Sequence, residues 1–316
     1  MLWIIIAAVL VIVGAVLFTG VMVSLNWDFS RLGTVKYETN THTVGEEFQN
    51  VNIVTQTAEV VFLPSPDGEC RIVCHEDEKQ KHTVSTEGET LNIVVSDARK
   101  WYEYIGISWG MSKITVYLPN TEYGALCVKG STGDVKLTGN FVFDSVDVAS
   151  STGDVELGAS VNGAVKIKLS TGDISLSNMT AGELDLSVST GKITVVSADC
   201  QGAVSIGVST GRTELSDVRC GSLTSTGSTG NITLKNTVAD DSINVKRSTG
   251  NVYFENSDAS EIFISTSTGD VKGSLLSDKV FLAESDTGRI EVPKTIAGGR
   301  CEIVTDTGNI ILTVNK

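Results

Sequence analysis

Residues 168–177 read KLSTGDISLS, and residues 187–196 read SVSTGKITVV. The shared element is Ser-Thr-Gly, or Asp-Thr-Gly in its last two copies, and it occurs ten times. Its glycines are Gly133, Gly153, Gly172, Gly191, Gly211, Gly230, Gly250, Gly269, Gly288 and Gly308, every interval being 19 or 20 residues. A fixed period of this size marks a solenoid, in which one supersecondary unit stacks on copies of itself.

Each coil can be numbered from its motif glycine. Positions −7 (Leu126 to Cys301), −5 (Val128 to Ile303), +2 (Val135 to Ile310) and +4 (Leu137 to Leu312) are apolar in 37 of forty cases, against 41% hydrophobic residues in the chain as a whole. The exceptions are Thr213, Ser225 and Gly273. Alternation within each segment has a period of two, so both segments read as strands with these columns facing inward. The inward parity runs through −7, −5, −3 and −1 and resumes at +2, a slip that requires a corner at the glycine. Glycine suits that bend because it tolerates positive φ and close backbone approach.

These observations predict an all-β fold, a right-handed parallel β-helix of about ten 19–20-residue coils. Segments such as ASVNGA and SNMTAG add a short third side. The threonines at −1, Thr132 to Thr307, share the inward parity and are expected to stack inside at ~4.8 Å spacing, which argues against an outward ice-binding array. Position +1 begins with Asp134, Asp154 and Asp173, then turns basic or neutral at Lys192, Arg212 and Asn231. Solvated turn residues explain that column better than a cation site.

Residues 2–25, LWIIIAAVLVIVGAVLFTGVMVSL, are uncharged. As a helix this run would span roughly 36 Å, enough to cross a bilayer. No basic residue precedes it and no Ala-x-Ala site follows, so a retained anchor is favoured over a cleaved signal peptide, with Trp27 placed for the interface. Arg31 and Lys36 follow the span and argue weakly for a cytoplasmic C-terminus. The expected organisation is an anchor at 1–27, a linker at 28–39, an irregular β region capping the solenoid at 40–130 and the repeat solenoid at 131–316.

The chain is acidic, with a formal net charge of −14, which opposes nucleic acid or an anionic membrane surface as a partner. Six cysteines in 316 residues do not make a disulfide scaffold. Cys200 and Cys220 each lie nine residues after their glycine, so adjacent coils bring them close enough for a disulfide or for simple side-by-side packing. Cys70, Cys74 and His75 are the nearest approach to metal-ligand spacing and do not match a known pattern. No metal or cofactor is expected. Within 40–130, the segment KWYEYIGISWG concentrates Trp101, Tyr102, Tyr104 and Trp109, the candidate partner-contact residues. The chain stops at NIILTVNK without a polar cap, which leaves the C-terminal solenoid end open to self-association.

The order of an apolar N-terminus, NVNIVTQTAEVVF, GETLNIVV, ITVYLPN and repeated STGD/STGN strands resembles the bacterial putative-adhesin family of β-strand repeats, a domain of unknown function. The resemblance covers roughly 40–316. It implies a membrane-anchored location at the cell envelope and carries no catalytic residues. The function expected is therefore non-catalytic: an adhesin-like interaction surface or an envelope-sensing one, for an unidentified protein or glycan partner. One alternative is a cytoplasmic-facing, self-associating scaffold resembling the bactofilins. Another is a polysaccharide-acting β-helix enzyme. The enzyme needs carboxylates grouped in a groove, whereas Asp134, Asp154 and Asp173 lie on a turn edge and His42, His75 and His82 lie outside the array.

Overall fold

The computed structural model describes residues 2–28, 35–101 and 110–315. It shows one apolar helix, Leu2–Ser24, followed by a β-solenoid. Successive coils pair in parallel with motif on motif, so that Val155, Ile174, Ile193, Thr213 and Ile232 stand in one column. The apolar columns form one continuous core along the axis.

The motif glycine is demanded by crowding as much as by conformation. Eight of the ten have φ between 128° and 157°. A β-carbon built on any of the ten would lie 1.7–2.3 Å from a carbonyl oxygen of the neighbouring coil, for example 1.7 Å from the Gly191 oxygen at Gly211. No other residue fits such an approach. A second corner lies six residues later at Asn178, Ser197, Asp217, Asn236 and Asn256, all left-handed with φ of 45–56°. Asn and Asp tolerate that conformation best after glycine. The inward parity then moves to +7 and +9, burying Met179, Ala181, Ala198, Cys200, Val218 and Cys220 on the third side.

The threonine column corrects the expectation drawn from parity. Thr132, Thr152, Thr171 and the other motif threonines are exposed. The bend begins before the glycine, so Ser and Thr both face solvent, and the alternation that holds at −7, −5 and −3 stops there. The +1 column also has a definite role. Asp134 Oδ1 accepts the Asp154 N–H at 2.9 Å, Asp154 the Asp173 N–H at 2.8 Å, and Asp173 the Lys192 N–H at 2.7 Å. Asn231, Asn251 and Asp270 continue the ladder. Asp and Asn recur there because each supplies an acceptor to the next coil.

All three exceptions in the apolar columns have physical causes. Arg247 is buried in the core at position −3, where Nη2 donates to Ser225 Oγ at 2.8 Å and lies 3.4 Å from Thr213 Oγ1. Gly227 leaves room for it, since a β-carbon there would sit 2.6 Å from Arg247 Nη1. Burial pushes the guanidinium down to about 10. Gly273 has φ of 136°, and a β-carbon would lie 1.8 Å from the Phe254 oxygen.

The coils are not stacked in sequence order at either end. Strands Asn50–Val54 and Glu59–Pro64 form a coil that pairs with the Gly133 coil on one side and with Thr90–Asp97 and Lys113–Leu118 on the other. The second coil in the sequence is therefore outermost. At the far end, Gly299–Thr307 and Ile310–Val314 insert between the Gly269 coil and strands Lys279–Thr287 and Ile290–Glu291. The last coil in the sequence is thus second from the end in space. Each terminal coil gains partners on both edges, which opposes unzipping from a chain end.

Candidate functional site at the capped end

The first end is closed by antiparallel strands, unlike the parallel coils. Cys70–Asp77 runs antiparallel to Lys113–Leu118, Tyr37–Val44 to Cys70–Asp77, and Gln80–Glu87 to Thr90–Asp97. Ile72, Cys70 and Cys74 extend the solenoid core into this cap. Beneath it, QTAEV (56–60) occupies the place of the STGDV motif: the Thr132 and Ser131 N–H groups donate to the Gln56 oxygen, and Val60 pairs with Val135. Thr-Ala-Glu in place of Thr-Gly-Asp was the sequence signal for this coil. The Ala58 carbonyl oxygen is the one that a β-carbon on Gly133 would meet, at 2.3 Å.

A buried polar knot ties cap to coil. Glu76 Oε2 accepts the His82 backbone N–H and lies 2.7 Å from His82 Nδ1, while Asn40 donates to Glu76 Oε1 at 3.0 Å. His82 Nε2 lies 3.0 Å from Thr55 Oγ1 at the corner of the first coil. Cys74, Glu76 and His82 present donor atoms within 4.8 Å of one another, the geometry of a metal site. Both ring nitrogens are already engaged, however, and burial with the nearby Glu76 charge pushes the Cys74 thiol up to about 12. With Glu76 and Thr55 on its two ring nitrogens, His82 serves here as an internal anchor between cap and coil.

Between cap and corner opens a cavity of about 480 Å3, lined by Tyr37, Glu59, Asp77, Gln80, Arg99 and Met111 with Thr132, Asp134 and Thr152. Tyr37 stacks on His75 with ring centroids 5.3 Å apart and donates through its hydroxyl to the Gly110 oxygen at 2.8 Å. Arg99 grips Asp97 through Nε at 2.9 Å and Nη2 at 2.6 Å. Glu59 joins three coils, contacting Lys136 at 2.7 Å and Lys113 at 3.4 Å. The Lys136 hydrogen bond, with the positive charges of both lysines, holds its carboxyl below the usual range.

Of the four candidate contact residues, Trp101 is 77% exposed at the root of the segment beside this cavity. Tyr102, Tyr104 and Trp109 lie outside the described residues. Cys200 and Cys220 occupy the same buried column on adjacent coils and are free thiols, donating to the Gly182 and Val238 oxygens.

A family model described as Toastrack DUF4097 matches residues 48–207, just over half of the chain. The chain belongs to the Toastrack DUF4097 family. The matched stretch takes in the strands from Asn50 onward, most of the residues lining the cavity and the first regular coils, and parallel stacking of coils continues beyond it. Two similar solved structures are each named "putative adhesin". The one from Bacteroides fragilis NCTC 9343 shares 14% identity, covering 88% of this chain and 97% of its own, with a TM-score of 0.44. The one from Parabacteroides distasonis ATCC 8503 shares 12% identity, covering 89% and 98%, with a TM-score of 0.44. A "putative lipid binding protein" from the latter organism shares 14% identity over 89% of this chain and 98% of its own, with a TM-score of 0.39. No curated protein matches the chain.

Proposed function

We propose that this Toastrack protein is a non-catalytic, single-pass membrane protein of the cell envelope that presents its solenoid outside the cytoplasm as an adhesin-like or envelope-sensing surface. The observation that carries this reading is the N-terminal helix. Trp3–Ser24 has a mean hydropathy of 3.0, and of its residues Met22 alone is buried. A helix apolar on every side needs a core or a bilayer around it, and the helix is exposed from Trp3 to Val21. The first strand after it, Tyr37–Val44, belongs to the cap. The tether therefore enters at the capped end, and in this reading the cavity lies near the membrane. Of the charged groups placed there, Glu59 pairs with Lys136 and Lys113 and Arg99 with Asp97, an arrangement suited to shape and hydrogen-bond recognition of a protein or glycan.

The test is topology. A short epitope tag after Lys316 is probed with antibody on intact cells whose wall has been loosened, with lysed cells as control. Labelling of intact cells is expected. Labelling only after lysis overturns the envelope reading and favours the cytoplasmic scaffold, in line with Arg31 and Lys36 after the span.

A further inference from the structure

The cap holds an orphaned nitrogen. Among the described residues, His42 Nε2 is the one buried side-chain nitrogen or oxygen without a hydrogen-bond partner. His42 lies opposite Ile72 in the antiparallel pairing of Tyr37–Val44 with Cys70–Asp77, and residues directly opposite share a face of the sheet. Cys74 and Glu76 lie two and four positions beyond Ile72, on that same inner face. Diagonal neighbours across such a pair are about 7–8 Å apart, within reach of long side chains. The His42 imidazole can therefore meet the Cys74 thiol.

We propose that Cys74, Glu76, His82 and His42 form a structural zinc site that pins the cap together. The donor atoms of the first three converge within 4.8 Å, on side chains of residues only 0%, 1% and 5% exposed. Ligand atoms around a tetrahedral zinc are about 3.3–3.7 Å apart at the usual bond lengths. The 2.7 Å contact between Glu76 Oε2 and His82 Nδ1 thus has to open by less than about 1 Å to admit the ion. Zinc then replaces the proton between those two atoms, and the Cys74 thiol gives up its own proton to solvent on binding. One thiolate and one carboxylate neutralise the divalent charge, so no net charge is left in the buried site.

The surrounding residues support the ligands. Thr55 Oγ1 lies 3.0 Å from His82 Nε2, and Asn40 Nδ2 donates to Glu76 Oε1 at 3.0 Å. Outer partners of this kind fix the orientation of metal ligands. Sulfur, imidazole and a single carboxylate suit zinc, whereas calcium and magnesium take oxygen. Four protein ligands leave no open position, which makes the site structural. Its ligands come from Tyr37–Val44, Cys70–Asp77 and Gln80–Glu87, so one ion joins all three cap strands. Sequence spacing pointed instead to His75, which is exposed and stacks on Tyr37. The site is independent of which side of the membrane the solenoid occupies.

The test uses the full chain in detergent micelles, purified without a metal-affinity step and stripped with a chelator. Zinc retained after loading and dialysis is measured by plasma mass spectrometry, and cobalt(II) serves as the optical probe. One zinc per chain is expected, with a rise in melting temperature that the chelator reverses. Cobalt should show the intense visible bands of a tetrahedral site and a thiolate charge-transfer band that Cys74→Ser abolishes. Thr55→Val removes only the support behind His82 and should weaken zinc binding about 10–100-fold. His42→Gln should weaken it at least as much, while far-UV circular dichroism of the zinc-free variants checks that the fold is kept. A wild-type chain that retains no zinc, a cobalt complex without the thiolate band, or an affinity unchanged by His42→Gln would each overturn the proposal.

Discussion

At the first end of the solenoid, antiparallel strands cover both long edges of the outermost coil, and Phe62, Ile72 and Ile114 are buried to 0% exposure. At the last end, the outermost coil has a neighbour on one face only, and Pro293 follows a second-side strand of just two residues, Ile290–Glu291. Both ends use the same swap, tucking the first coil of the sequence beneath its successor and the last beneath its predecessor. They differ in what lies on top. Stability in a solenoid is close to a sum of coil and nearest-neighbour terms, so a coil with two neighbours resists local opening and a coil with one frays.

The sharpest test of that difference replaces one core phenylalanine near each end. Phe62→Ala at the capped end should cost about 3–5 kcal/mol, the range for a fully buried aromatic. Phe281→Ala at the open end should cost well under half as much, because its site is already partly exposed. Hydrogen exchange on the full chain in micelles reads both, and equal losses would break the comparison.

Next comes the corner. Gly211→Ala combines φ of 145° with a β-carbon 1.7 Å from the Gly191 oxygen and should cost about 2–4 kcal/mol, opening the coils on either side. Gly288→Ala meets a comparable clash, 1.9 Å from the Gly308 oxygen, yet lies in the outermost coil. Its effect should stay confined to loss of exchange protection in 276–298. Loss spreading inward to the Gly250 coil would show that the end is not a separable unit.

The smallest effect expected is in acid. The Glu59 carboxyl is depressed when folded, so its contribution is present above the unfolded value near 4.5 and is lost as pH falls through the folded value. Glu59→Gln should cost under about 1 kcal/mol at neutral pH and flatten the decline of melting temperature on acidification below about pH 4.5. An unchanged acid limb would mean that the Lys113–Glu59–Lys136 bridge does little for the capped end. The open end's pair Arg289–Glu291 lies within one coil and offers no bridge between coils.

Much of the coil was legible because its signals are local and repeated. The glycine corner, the four apolar columns and the third side follow from parity and period alone. The threonine orientation was misread because alternation was carried one residue too far into a bend. The Arg247 site was visible only as Thr213 and Ser225 in otherwise apolar columns, since nothing local tells which residue of another coil uses their hydroxyls. At the cap, Trp101 and the density of aromatic residues were readable. The Glu76–His82–Thr55 knot was not, because its members come from a cap strand, a second cap strand and a coil corner.

The sequence by itself determined the period, the inward columns, the glycine corners and the apolar N-terminal span, because each depends on residues a few positions apart or on composition. Only the tertiary structure decided which coil lies next to which, and so which end is covered and which coil is left open. Coils built to one pattern present nearly the same edge, so the pattern permits any of them as a neighbour. Chain connectivity and the fit of particular side chains in three dimensions select the order, tucking both terminal coils inward and leaving Ile290 at the surface.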